Sequence, residues 1–147
     1  MDKTRIIKFR AWDKTNKEWF YSFSIEGDGT VKSYIYNQWG EPDTNISEYV
    51  DIQQFTGLLD KNGKEIYEGD IVKAQYNDGD KNIEFIDEVV WGYFDDCCVE
   101  GETWITKTDR WQKCIYYWKD ELEVIGNVYE NPELLLNAPV SNKETKE

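Results

Sequence analysis

Histidine is absent from the 147 residues. That absence excludes Ser-His-Asp and Cys-His nucleophilic systems, and with them every His-ligated zinc or iron centre. Long apolar runs are missing too, so no membrane-spanning helix is expected. The opening residues, Met1 to Arg5, lead into an alternating pattern rather than an apolar core, so no secretory signal is expected. Positive charge is scarce: 17 Lys and Arg face 30 Asp and Glu, for a net charge of −13. A chain of that sign is a poor phosphate binder and is repelled by anionic membrane surfaces. Cysteine is limited to Cys97, Cys98 and Cys114, an odd set with no CxxC spacing. Without a secretory signal it reads as free thiols in a reducing cytoplasm. Neither GxxxxGK[ST] nor GxGxxG occurs. Asp78, Asp80 and Asn82 are spaced like the first ligands of a calcium loop, but Ile83 stands where glycine is required and Val89 where the closing glutamate belongs. No cofactor, no metal and no enzymatic activity are therefore expected.

What the chain does have is aromatic side chains: seven Trp, ten Tyr and six Phe. Such content argues against disorder, because aromatic groups supply buried area that disordered chains lack. Ile7, Phe9 and Ala11 alternate with Lys8 and Arg10, the period of a half-buried strand, and Glu18 to Phe23 reads as its return strand. Gly27 to Gly29 turns the chain into a strand over 31–36. Asn62-Gly63 marks a hairpin turn, and Gly69-Asp70 a turn just ahead of the strand begun by Ile71 and Val72. Ile83 to Trp91 is a strand extended by Gly92 to Phe94, with Asp95 to Glu102 read as an acidic loop and Thr103 to Thr106 as a further strand. Trp111, Cys114, Ile115, Trp118 and Leu122 recur at helical spacing, with Asp109 as the cap. Glu123 to Tyr129 is a last strand, and Asn131-Pro132-Glu133 opens a helix. Strands at this spacing, punctuated by Gly and Asn turns, indicate a mainly β fold, a small antiparallel barrel or sandwich with one or two short helices. Residues 1–136 are expected to form a single domain, with a hairpin region over about 1–54 and a barrel region over about 55–136. Residues 137–147 read as a flexible tail.

Charge is unevenly spread. Residues 1–24 are net basic, whereas 77–102 carry nine acidic groups against one lysine. A solvated acidic face is the ordinary meaning of such a run. The functional alternative is docking of a basic partner protein, with Asp78, Asp80, Asp87, Glu88, Asp95 and Asp96 as the acidic face and an aromatic anchor beside it. Two other readings stand beside it. Arrayed carboxylates could imitate a DNA duplex and occupy a DNA-processing protein, or the basic, aromatic N-terminal strand with Lys8, Arg10 and Trp12 could bind nucleic acid. The overall charge counts against the last. Exposed strand edges would also permit self-association.

Three stretches together resemble the YopX-like proteins of tailed phages and prophages: IIKFRAWD (Ile6 to Asp13), FTGLLDKNGKEIYEGDIV (Phe55 to Val72) and EVIGNVYENPELL (Glu123 to Leu135). Their order and content match across almost the whole chain. The resemblance implies a small phage accessory protein with an SH3-like β-barrel component. The acidity, the aromatic content and the lack of His, nucleotide loop and metal set lead separately to the expectation that it binds a host or phage protein in the host cytoplasm. It carries no assigned activity, so no catalytic residue transfers. The matching residues read structurally: Gly57, Gly63, Gly69 and Gly126 as backbone-permissive positions, Trp12 and Tyr67 as packing groups, Asn131-Pro132 as a cap.

Overall fold

A computed structural model describes residues 6–33, 44–77, 79–96, 99–108, 112–136 and 138. The chain is mainly β, with antiparallel pairing throughout and two short helices. It divides into two compact units: Lys8–Gln54, and Phe55 onward together with Ile6 and Ile7.

In the first unit, β1 (Phe9–Asp13) pairs with β2 (Glu18–Phe20) and with the start of β6 (Val50–Leu59). Ala11 is buried against Val31 and Val50, but the alternation read in the sequence is not kept: the adjacent Trp12 is buried too, whereas Ile7 and Phe9 are exposed. Beside these strands, β3 (Phe23–Ile25), β4 (Val31–Ser33) and β5 (Thr44–Asn45) form a small three-stranded sheet. The turn between β1 and β2 is organised by Asp13, whose carboxylate accepts the N–H groups of Thr15 and Asn16. The strand expected over 31–36 is seen as β4; residues 34–36 lie outside the described set.

In the second unit the end of β6 turns into β7 (Glu65–Tyr67), followed by β8 (Asp70–Asn77), β9 (Asn82–Asp96), β10 (Val99–Thr106), α1 (Ile115–Trp118), β11 (Glu123–Asn127) and α2 (Glu133–Leu136). The main sheet has the order β10-β9-β8-β11. Its core joins Ile66, Val72, Val89, Ile115, Leu122 and Val124. The Asn62-Gly63 turn is present, with Gly63 at φ +79, a conformation that glycine adopts without a Cβ penalty. Gly126 is required for a different reason: a Cβ there would stand 2.5 Å from Asn131 Oδ1.

Two expectations are corrected. Asp95 to Glu102 is not a loop, because β9 and β10 pair as far as Asp96 opposite Val99. The helix read from Trp111 to Leu122 shrinks to the four residues of α1, because the chain ahead of it bridges β10 at Ile105–Cys114, with the Lys113 carbonyl accepting the Thr106 N–H rather than a helical one. Asp109 and Trp111 lie outside the described residues; the cap position belongs to Cys114, whose side chain makes no capping bond. The helical spacing nonetheless marked core residues, since Cys114, Ile115 and Leu122 are all buried.

Candidate interaction surface

Three polar residues of the glycine-rich blocks, Asp60, Asp70 and Asn127, are buried and hold the second unit together. Asp60 is buried; one carboxylate oxygen accepts the N–H groups of Asn62 and Lys64, at 2.8 and 2.9 Å, and the other accepts that of Val124 at 2.9 Å. A single side chain thus closes the β6–β7 turn and pins it to β11. Asp70, 2% exposed, accepts the Tyr67 N–H at 2.8 Å, and Tyr67 packs on Phe55. Asn127 accepts from the N–H groups of Tyr129 and Glu130. Among the described residues every buried side-chain polar atom has a partner, as the cost of burying an unpaired one demands.

The six acidic residues expected to form one face are dispersed. Asp78 lies outside the described residues, and Asp80 is exposed in the turn between β8 and β9. Asp87 is buried; its carboxylate accepts both the N–H and the hydroxyl of Thr108, at 2.9 and 2.7 Å. Its work is internal, tying the end of β10 to β9. Glu88 pairs with Lys107 at 3.1 Å. Asp95 and Asp96 are exposed, but as neighbours on a strand they point to opposite faces.

What the fold assembles instead is one face of the β9–β10 hairpin. Trp91, Tyr93 and Asp95 alternate along β9, and register sets them opposite Trp104, Glu102 and Glu100 of β10. Trp104 is buried and meets Trp91 edge to face at 4.9 Å. Trp91 and Tyr93 remain 51% and 55% exposed. The Tyr93 hydroxyl donates to Glu100, and this bond, with burial and the Asp95 charge behind it, raises the phenol's pKa above its ordinary value. The opposite face of the hairpin is closed: Phe94 and Ile105 pack with Cys114, and a Cβ at Gly92 would meet Ile105 Cδ1 at 2.9 Å. Two half-exposed aromatics with Asp95, Glu100 and Glu102 beside them therefore stand on this sheet face. Glu100 and Glu102 escaped the sequence reading because the segment looked like loop. The signal was the alternation of Trp91, Tyr93 and Asp95 at period two.

Other features are already occupied. Tyr76, Phe85 and Trp118 form an aromatic cluster around the chain's own Lys113, whose Nζ lies 5.3 Å from the Trp118 ring centre. Burial lowers the pKa of that amine. A 410 Å³ depression over Gln75 to Asn77 and Asn82 to Glu84 is lined by polar groups bonded to each other, as in the Gln75–Glu84 and Asn77–Asn82 pairs. In the first unit Arg10 stacks 4.4 Å from the Trp19 ring centre and donates to Gln53 at 2.7 Å. No helix among the described residues is long and apolar enough to cross a membrane.

The family model described as YopX protein matches residues 8–136. The crystal structure of protein EF1440 from Enterococcus faecalis is similar at 25% sequence identity and a TM-score of 0.57, covering 90% of this chain and 99% of that one. A comparison with curated proteins returns no match.

Proposed function

The chain belongs to the YopX family, and from that premise we propose that it is a non-enzymatic accessory protein of a phage or prophage that binds a basic host or phage protein in the cytoplasm. The observation that carries this reading is the β9–β10 face, where half-exposed Trp91 and Tyr93 adjoin Asp95, Glu100 and Glu102. Interfaces concentrate their binding energy in aromatic anchors within a polar rim, and opposite charge steers the encounter. Adjacent exposed aromatics cost the free protein an unfavourable hydration that a partner would relieve. Duplex mimicry would call for a regular row of carboxylates, and the two rings interrupt any such row here. Arg10, engaged by Trp19 and Gln53, gives little support to nucleic-acid binding through β1.

The test is affinity capture on the tagged chain from nuclease-treated host lysate at low and high salt, with three variants run alongside. A discrete protein retained at low salt, weakened by salt, lost in Asp95→Lys and in Tyr93→Ala but kept in Asp96→Lys would establish the face. Equal retention by all variants would remove it.

A further inference from the structure

We infer that the partner adds a β-strand to the outer edge of β10, an inference that rests on the β9–β10 docking reading and deepens it. The argument begins with the hydrogen-bond ladder. Lys107 N–H donates to Glu88 O at 3.0 Å, one step beyond the Thr106–Val89 pair. Antiparallel pairs alternate between those that exchange hydrogen bonds and those that turn their N–H and C=O groups away. Residues 107, 105, 103 and 101 therefore bond to β9, and 106, 104, 102 and 100 face outward. Thr106 confirms the phase: its N–H donates outward, to Lys113 O at 3.0 Å. The Ile105–Cys114 bridge continues this cover on the outer edge, and past it, toward Glu100, the edge is bare among the described residues. The backbone N–H groups of Glu100 and Glu102 have no hydrogen-bond partner among the described residues.

The other edge of the same sheet is treated differently. Along β11 the outward N–H of Val124 is taken by the Asp60 carboxylate, Leu122 O accepts the Lys61 N–H, and the outward Asn127 N–H donates to Asn131 Oδ1 at 3.3 Å. One edge is sealed by the chain itself and one is left as a template, which is the arrangement that strand addition exploits.

Charge selects the occupant. A second copy of a chain carrying −13 would bring its own Glu100 and Glu102 against the same two carboxylates. Like charges opposed across a strand pair are unfavourable, whereas Lys or Arg there is favourable. The edge thus repels its own kind and accepts an extended segment with basic side chains at alternate positions, laid beside Glu100 and Glu102.

The probe is an end-capped ten-residue peptide of alternating Lys and Thr, with two analogues N-methylated at every Lys amide or at every Thr amide. Binding is followed by Trp fluorescence, and amide exchange of the protein by NMR. Strand addition predicts that one methylated analogue binds at least tenfold more weakly while the other keeps its affinity. It also predicts that exchange at Glu100 and Glu102 slows at least tenfold on binding, and that the Glu100→Lys, Glu102→Lys double variant loses the peptide. Equal binding of all three peptides with unchanged exchange would overturn strand addition while leaving docking on the hairpin face intact. Failure of every peptide to bind at low salt would overturn both.

Discussion

Among the described residues, eight buried side chains from Phe55 onward share one cluster, while the cluster of Lys8–Gln54 holds Ala11, Val31 and Val50. The polar interiors differ as well. The larger unit ties distant segments with buried Asp60, Asp87 and Asn127, whereas the smaller one relies on Arg10 laid across Trp19 and on turns capped by exposed aspartates. Both are antiparallel β. The difference teaches that strand pairing alone does not set stability; burial per strand and long-range polar ties do.

The strongest way to break that contrast is to remove core from the larger unit. Leu122, with no exposure, contacts the central cluster, so Leu122→Ala is expected to cost about 3 kcal/mol. Thermal melting followed by Trp fluorescence checks it; a loss no greater than that of Val31→Ala in the smaller unit would erase the distinction. Next in size is Asp60→Ala, which strands three N–H groups and is expected to cost about 2 kcal/mol. Hydrogen exchange should quicken at Asn62, Lys64 and Val124 and stay unchanged in β1. Arg10→Ala should cost about 1 kcal/mol through the lost stack and the bond to Gln53, with faster exchange confined to β1, β2 and the start of β6. Spread of that effect into β8 and β9 would show the two cores to be energetically joined.

The smallest effect is set by pH. The Asn16 N–H holds the Asp13 carboxyl below its ordinary 3.8, with the Asn16 side-chain amide and Thr15 N–H adding to it. Since the folded pKa is the lower one, this turn's contribution is present above 3.8 and lost as pH falls through the folded value. An NMR titration should show the Thr15 and Asn16 amides moving together in that acid window, and Asp13→Asn should abolish the shift. Solvent screens this exposed group, so global stability should barely respond.

Much of this architecture was legible in advance. The Asn62-Gly63 turn and the burial of Ile115 and Leu122 follow from local pattern. The failures share one cause. Asp95 to Glu102 looked like loop because its side chains are charged, yet strand pairing uses backbone groups and tolerates charge wherever side chains face water. The helix was over-read because the chain ahead of it bridges β10 at Ile105–Cys114, with Thr106 N–H taking the Lys113 carbonyl, a contact that no periodicity reveals. Asp87 fell on the same face as Phe85 and Val89, which foretells burial, but its partner Thr108 comes from 21 residues away.

What the sequence determined by itself is therefore the class of the fold, its turns and most of its core, because those depend on φ preferences and on side-chain periodicity within a few residues. The tertiary structure decided which carboxylates are ties and which are surface, and which sheet edge is sealed. Those outcomes depend on which distant backbone group arrives beside a given side chain. Asp60 reaching Val124 closes one edge of the sheet, and no segment among the described residues reaches Glu100 and Glu102 to close the other.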